Sequence, residues 1–490
     1  MKGVLLQGFH WFQEPGTHWT WLKDQAITLA NKGFTAIWIP PLSKGWGGTQ
    51  ENGNQKTVGY DAYDFWDPGF YQAHGEIPAT KYGTYQELKE MIDAFHLTDP
   101  KIDIYADLVF NHKMGAKFEE WIRVQEVDLN DKNKPLSDWY SKKIYTNYKF
   151  PQRIAAQKAG EGITDNYYEW YWDHFDAFVD GGKVFRIKAK NFETPPFLHH
   201  GDEPYLMGLD LDTSHPSVIE ELLRVGNWLV NDLKIDGFRI DAIKHIRQSF
   251  FPMYLTTLRH DSQKEIFTVG EYWEDHNRGK LEDFIYKTNF QLSLFDFPLR
   301  ENFWQAANRG AYYPLPEIFN NSLMQSIPSK AVTFVDNHDL QPRRMGKEFR
   351  MTEHDWFKPL AYALILLRPE GYPCVFFGDY FECDFFGLGN QSRHQFMIDK
   401  ILMARKLCLG NIIDDKLDHP NCIGWTSRDQ RSMAVVMSNG SDGWKLLNTD
   451  SPNTSYQDIT RHFDREITTN ASGEAIFHCR GGKVSVWMEI

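Results

Sequence analysis

The sequence predicts an α/β protein built on a (β/α)8 barrel, with a small domain inserted after the third strand and an antiparallel β-sandwich domain at the C-terminus. Three observations predict it. Apolar strand candidates alternate with amphipathic helical stretches through most of the 490 residues, as they do in parallel α/β folds. The alternation runs to eight strand-helix units, and the conspicuous charged clusters fall just after strands, where a barrel gathers its function. Beyond residue 409 the texture changes to short β-rich runs separated by Asn, Gly, Asp and Ser turns.

The first strand is read at residues 4–9, followed by a helix with Thr17 at its N-cap and Gly33 at its end. Residues 34–39 form the second strand. A long Gly/Asn-rich loop from Pro40 to about Tyr82 leads to a helix marked by Leu88, Met91, Ile92 and Phe95 at helical spacing. The third strand, 102–110, ends in Asn111 and His112. The stretch that follows, 113–209, is rich in Trp, Tyr, Lys and Asp and weak in helical periodicity, and so long an excursion needs structure of its own. The rhythm resumes with Ser214, read as the N-cap of a helix carrying Val218, Ile219, Leu222, Leu223, Leu229 and Val230 on one face. The fourth strand lies in DGFRIDAIKH, 236–245, and the fifth, 265–270, ends in Glu271, Tyr272 and Trp273. Strands six, seven and eight are read at 291–297, 331–335 and 374–377, and a helix over 394–409 completes the barrel. The expected domains are therefore 1–112 with 210–409, the insertion 113–209, and 410–490.

Composition narrows the function. Aromatics make up 15% of the chain, with 17 Trp, more than a core of this size needs, and excess Trp and Tyr suit the apolar faces of sugars or peptides. The formal charge is -13 and no Lys/Arg block occurs, which argues against nucleic acid and anionic membrane as partners. No stretch approaches eighteen uninterrupted apolar residues. The five cysteines are odd in number, widely spaced and without a CxxC pair, a pattern of free thiols in a reducing compartment. Strand-like sequence follows Met1, Lys2 and Gly3 at once, leaving no room for a signal peptide. A cytoplasmic monomer is the expectation, unless a leader has been removed.

Three carboxylates stand at the ends of strands four, five and seven: Asp241, Glu271 and Asp339. In a barrel those ends converge on one mouth. Two carboxylates facing one bond, roughly 5 Å apart, are what glycoside hydrolysis with retention requires. Arg239 shares a strand face with Asp241 and is expected to hold it ionised as nucleophile, while Glu271, among aromatics and other carboxylates, is the one whose pKa would rise enough to deliver a proton. The plain alternative for each is a structural ion pair at the barrel rim; three on separate strands, with His112 and His338 beside them, favour a site.

The segments DLVFNH (107–112), GFRIDAIKH (237–245), GEYW (270–273) and FVDNHD (334–339) resemble the four signature regions of the α-amylase family, in order and at similar spacing. LLQGFHWF near the start, KTNF with LFDFPL (287–299) and WFKPLAYALILLR (356–368) extend the resemblance over the barrel, and DHPNCIGW and KVSVWM extend it into the C-terminal domain. It is strongest toward the bacterial liquefying-type and cytoplasmic branches. The resemblance implies endo-hydrolysis of α-1,4-glucans such as starch, glycogen or maltodextrins, with Asp241 as nucleophile, Glu271 as acid/base and Asp339 as the carboxylate that holds sugar hydroxyls. It further implies that Arg239 orients the nucleophile, that His112 and His338 bind the sugar at the cleaved residue, that Tyr60 stacks beneath it, and that Trp11, Lys244, His245 and Trp273 line neighbouring subsites.

The same resemblance implies calcium between barrel and insertion, held by Asn111, Asp210 and the backbone carbonyl of His245. Pro204 and Ser214 stand where the secreted liquefying enzymes place aspartates, so at most one Ca2+ is expected, because this cation needs six or more oxygens. Asp210 and Asp212 can instead be read as acids ahead of a helix N-terminus. Two other functions stay open on sequence: a transglycosylating or exo-acting enzyme of the same family, and a non-catalytic glucan-binding protein on the same fold.

Overall fold

A computed structural model describes residues 3–47, 57–71, 79–132, 134–158, 168–188, 206–341, 352–381 and 394–490. Eight parallel strands close into a barrel: β1 (Leu5–Gln7), β2 (Ala36–Ile39), β3 (Asp103–Leu108), β4 (Gly237–Ile240), β5 (Phe267–Gly270), β6 (Ser293–Phe295), β7 (Ala331–Phe334) and β8 (Tyr372–Phe376). Closure is direct, with Leu5 in register with Ala36 on one side and Cys374 on the other.

The period-two alternation of each strand divides the core in two. Leu5, Ala36, Trp38, Tyr105, Val269, Val332, Phe334 and Cys374 fill the barrel. Their neighbours Leu6, Ile37, Ile39, Ile104, Phe238 and Ile240 belong to the larger core shared with the helices. Following the inward row of each strand to its carboxyl end gives Gln7, Asp107, Arg239, Asp241 and Glu271, so the strand pattern itself aims these polar groups at one mouth. Gly237 has no side chain because a Cβ there would lie 2.6 Å from both the Phe267 carbonyl oxygen and the Tyr105 ring.

The outer helices are α1 (His18–Lys32), α2 (Tyr85–His96), α3 (Pro216–Asn231), α4 (Phe250–Ser262), α5 (Arg278–Lys287), α6 (Phe297–Arg309), α7 (Lys358–Leu366) and α8 (Gln395–Cys408). Two capping expectations change. Thr17 occupies the N-cap of α1 without a side-chain capping bond, while Gly33 ends the helix at φ 99°, a conformation that favours glycine. The N-cap of α3 is His215, not Ser214, whose hydroxyl instead donates to Asp212 Oδ1 at 2.5 Å. A full capping box opens α2: the Glu87 N–H donates to Thr84 Oγ1 at 3.3 Å and the Thr84 N–H to Glu87 Oε2 at 2.8 Å.

The stretch after β3 forms a six-stranded antiparallel sheet in the order His112–Lys113, Leu209–Leu211, Phe175–Asp180, Lys183–Ile187, Phe118–Val127 and Tyr140–Asn147. The strand His112–Lys113 begins one residue inside the segment assigned to the barrel, and Leu209–Leu211 runs past residue 209. Buried Lys113 pins this sheet to the barrel side, donating to the Tyr63 carbonyl at 2.5 Å with its ammonium 4.2 Å from the centre of the Phe65 ring.

At the C-terminus a second six-stranded sheet, ordered Asn411–Lys416, Cys422–Arg428, Ser432–Ser438, Lys483–Glu489, Ser455–Asp458 and Ile467–Thr468, faces a two-stranded antiparallel sheet of Gly443–Asn448 and Glu474–Cys479. Val436, Leu447, Tyr456, Phe477 and Trp487 pack between them. Asn439 donates to the carbonyls of Gly310 and Tyr313 at 2.9 and 2.8 Å, and the Trp425 indole to that of Leu367 at 3.0 Å, docking this unit on the barrel. Cys374, Cys408, Cys422 and Cys479 are free thiols, as read from the sequence, and Cys383 lies outside the described residues. No helix among the described residues is long and apolar enough to cross a membrane.

Candidate active site

Arg239 is the centre of the barrel mouth. Its Nη1 lies 2.8 and 3.0 Å from the two oxygens of Asp107 and 2.7 Å from Asp241 Oδ1, and its Nη2 lies 2.9 Å from Glu271 Oε2. The guanidinium is 1% exposed, so one desolvated cation is shared by three carboxylates on adjoining strands. Arg239 therefore does not serve Asp241 alone, as the sequence suggests. The shared fork explains how Asp241 and Glu271, thirty positions apart, can face each other, since one takes Nη1, shared with Asp107, and the other Nη2 of one rigid plane.

Immediately after Asp241 the chain turns through Ala242 at φ 49°, a left-handed conformation rare for a residue with a Cβ. The turn aims the Ala242 N–H at Glu271 Oε2, 3.1 Å away. Strain of this kind persists where the surroundings over-determine it, here between an ion-paired Asp241 and a hydrogen-bonded Glu271.

Electrostatics separate the acids only modestly. Burial pushes Asp241 up to about 6, with Arg239 pulling it down and Asp107 and Asp339 pushing it further up. Burial likewise raises Glu271 to about 7, against the pull of Arg239 and with the push of Asp241 and Asp339. Burial thus outweighs Arg239 at Asp241, although the arginine pulls toward the ionised form. Glu271 remains the weaker acid of the two.

The aromatic and histidine residues gather round this cluster. Tyr60 stacks on His338 with ring centres 5.2 Å apart and planes 9° from parallel, and Trp11 stacks on Tyr60 at 5.9 Å. The Tyr60 hydroxyl donates to Asp107 Oδ2 at 2.7 Å, and the Trp38 indole donates to the same oxygen at 3.1 Å. His338 Nδ1 lies 2.9 Å from the Gln7 amide, and its Nε2 lies 3.3 Å from Asp339. Asp339, with its side chain 25% exposed, is the most open of the three sequence-predicted acids. His112 sits with Nε2 2.8 Å from the Tyr60 carbonyl oxygen, and burial lowers its pKa to about 4, so it is neutral near pH 7. Trp273 and Lys244 lie on the β5 side, where the Lys244 ammonium donates to the Trp273 carbonyl at 3.0 Å. His245 closes a short turn, Ile243–His245, near His112.

Asn111 and Asp210 lie at the junction of β3 and the inserted sheet, where Asp210 pairs in register with His112. The Asn111 amide nitrogen is 3.2 Å from His112 Nδ1, while its buried Oδ1 has no hydrogen-bond partner. Burial holds the carboxyls of Asp210 and Asp176 well above the usual range, and Asp212 pushes both further. Asp212 itself is committed to the turn before α3, accepting from the Ser214 N–H and hydroxyl. Among the described residues no three His, Cys, Asp or Glu side chains converge as a ready metal cage. Pro204 lies outside the described residues.

Sequence reasoning missed Asp107, Gln7 and Asp176. Asp107 was legible, since it follows Ile104 and Tyr105 on a strand whose odd positions face inward and sits within DLVFNH. Gln7 needed the closure of β1 against β8. Asp176 is brought beside Asp210 only by the antiparallel pairing of Phe175–Asp180 with Leu209–Leu211, which no spacing announces.

With this geometry in view, comparison with known proteins identifies the family. The profile of the α-amylase catalytic domain matches residues 28–395. An α-amylase of Geobacillus stearothermophilus is 37% identical over 504 aligned residues, covering 99% of this chain and 87% of that protein. The cytoplasmic α-amylase of Escherichia coli (strain K12) is 34% identical over 512, covering 99% of this chain and 98% of that one. Among solved structures, an α-amylase of Geobacillus thermoleovorans complexed with acarbose superposes with a TM-score of 0.65 at 16% identity, covering 100% of this chain and 98% of that chain, a likeness of fold. The chain belongs to the α-amylase family of glycoside hydrolases.

Proposed function

We propose that this enzyme cleaves α-1,4-glucosidic bonds of starch, glycogen or maltodextrins internally and with retention, Asp241 attacking the anomeric carbon and Glu271 protonating the departing oxygen. The observation that carries the reading is the Arg239 fork, with Asp241 on Nη1 and Glu271 on Nη2. Two carboxylates bound to neighbouring nitrogens of one guanidinium are held at the short spacing, about 5 Å, that a nucleophile and an acid/base need. Asp339, open to the mouth, would accept hydroxyl hydrogens of the sugar. Neutral His112 and the stacked Trp11, Tyr60 and His338 provide donors and a flat apolar wall for the ring at the cleaved bond. Lys244, His245 and Trp273 would line the neighbouring subsite. In this reading residues 113–209 form a domain that walls one side of the cleft, and residues 410–490 a separate β-domain.

Products decide the endo claim. A maltoheptaoside blocked at its non-reducing end is expected to be cut as readily as the free oligosaccharide. Survival of the blocked substrate while the free one is shortened would make the enzyme exo-acting, and products longer than the starting chain would reveal transfer to sugar.

The pH dependence follows from the two acids. Asp241 works ionised, so kcat/KM falls as pH drops through about 6; Glu271 works protonated, so it falls again as pH rises through about 7. A narrow bell between these limits is expected for a small chromogenic maltoside, with the apparent values belonging to the coupled pair. Glu271→Gln should abolish the alkaline limb for a substrate whose leaving group needs no proton; a limb that persists would assign it to another group.

Calcium fits the junction of barrel and insertion, because the orphaned Asn111 Oδ1 and the buried Asp210 and Asp176 carboxylates are hard oxygen donors. The His245 carbonyl would complete the set, and the ion would neutralise buried acids while tying the inserted sheet to β3. One site at most is inferred. A cation only a few-fold above its Kd contributes about 1 kcal/mol, so a chelator is expected to lower the melting temperature slightly. Collapse of the fold in chelator would show a more extensive metal cluster. A cytoplasmic location agrees with the four free thiols among the described residues and with the E. coli relative's name.

A further inference from the structure

Two of the four described cysteines stand apart from the others. Cys422, at the start of the strand Cys422–Arg428, and Cys479, at the end of Glu474–Cys479, belong to different sheets of the C-terminal unit yet flank the same glycine. Gly443 is in register with Cys479, and a Cβ on Gly443 would lie 2.6 Å from the Cys422 sulfur and 3.4 Å from the Cys479 sulfur. The missing side chain leaves the two sulfurs facing each other across it, with the Cys422 thiol donating to the Trp444 carbonyl at 3.8 Å. Both are free in the structure.

Their surroundings differ in a way that assigns roles. Cys422 opens onto a cavity of about 730 Å³ lined by Asp418, His419, Trp444 and Lys445, so a small solute can reach it. Cys479 is 0% exposed behind it. The neighbouring Cys479 thiol, with the Lys445 charge, holds the Cys422 thiol below its usual value in spite of burial, although Asp418 takes part of that charge. The neighbouring Cys422 thiol and burial push Cys479 up. Buried Cys374 and Cys408 are both raised, Cys408 to about 12. A thiolate is the attacking form of cysteine, so reactivity is confined to one member of one pair.

We propose that Cys422 and Cys479 form a peroxide-sensitive thiol pair that closes to a disulfide between the two C-terminal sheets, Cys422 attacking and Cys479 resolving. The Cys422 thiolate attacks a hydroperoxide, an S–O bond forms as the O–O bond breaks, and the leaving oxygen departs as water or alcohol after taking up a proton. The Cys479 sulfur then attacks the sulfenic acid, the S–S bond forms, and the hydroxyl leaves as water with the Cys479 proton. The pair loses two electrons and the peroxide gains them. Thiols that face each other across a glycine close by side-chain rotation and a short approach. The bond would staple the strand beside Asn421, whose amide donates to the Ala311 carbonyl at 2.6 Å across the seam with the barrel, and it leaves the barrel mouth untouched.

The test is a peptide map of the native full chain after hydrogen peroxide and alkylation under denaturing conditions. A Cys422–Cys479 cross-linked peptide is expected, reversed by dithiothreitol, with Cys374 and Cys408 recovered as alkylated thiols. In Cys479→Ser the cross-link should vanish and Cys422 should react with dimedone as a sulfenic acid; in Cys422→Ser, Cys479 should stay reduced. Oxidation of Cys374 or Cys408 ahead of the pair, absence of the cross-link in the unmodified chain, or equal peroxide sensitivity of Cys479 in Cys422→Ser would each overturn the proposal. The map of the unmodified chain decides the matter even if a serine variant fails to fold.

Discussion

Asp241→Asn is expected to lower kcat by several orders of magnitude, at least about 5 kcal/mol of transition-state stabilisation, while leaving the protein as stable as before or more so. The first half follows from chemistry: an amide of the same shape keeps an acceptor for Arg239 Nη1, now 2.7 Å from the carboxylate, but cannot form the glycosyl ester. The second half follows from the charge balance. Asp107, Asp241 and Glu271 surround a single buried guanidinium, so the folded state carries more negative charge here than Arg239 neutralises. Removing one carboxylate relieves that excess, as expected where strain at a site is kept for function. Thermal unfolding and turnover on one preparation check both halves. Near-normal activity would take the nucleophile's role from Asp241, and would reopen the reading of a glucan-binding protein in which the cluster is structural.

The distribution of charge also explains what could be read from the sequence. The barrel is legible because apolar strand candidates alternate with amphipathic helical stretches, and in the fourth strand a period of two carries on into Arg239 and Asp241. Sharing of Arg239 was not legible, because which carboxylates meet one guanidinium depends on how β3, β4 and β5 align. Gly237 is in register with both Tyr105 and Phe267, which sets Arg239 level with Asp107 and Val269, and this alignment appears only when the sheet closes. Capping was misjudged for a related reason. Ser214 has the chemistry of an N-cap, but Asp212 two residues earlier competes for its hydroxyl, and His215 takes the position before Pro216. The inserted sheet was seen only as a need for structure, since its pairings join segments such as Leu209–Leu211 and Phe175–Asp180 that carry no mutual signal.

Arg239→Met is expected to damage stability and pH dependence together. The side chain it replaces is 1% exposed and is the cation shared by Asp107, Asp241 and Glu271. A methionine of similar length fills the space but leaves buried carboxylates facing one another, and removing one partner from a buried ion pair costs about 3–5 kcal/mol. The sign of the pH effect is fixed by the same loss. Arg239 lowers the pKa of both Asp241 and Glu271, so without it both rise, and the ionised nucleophile appears only at higher pH. The acid limb of kcat/KM, expected near 6 in the unmodified enzyme, should move to higher pH, and residual activity should be greatest at alkaline pH. A folded carboxylate with a raised pKa costs stability when ionised, so the variant should lose stability progressively as pH rises above the unfolded carboxylate range. Arg239→Lys separates charge from geometry: a single ammonium restores part of the stability, but it cannot hold Asp241 and Glu271 on two nitrogens 2.7 and 2.9 Å from their oxygens. Rescue of stability by lysine without rescue of turnover would assign Arg239 to positioning the acid pair. An unshifted acid limb in Arg239→Met would mean that the arginine does not set the charge of the nucleophile.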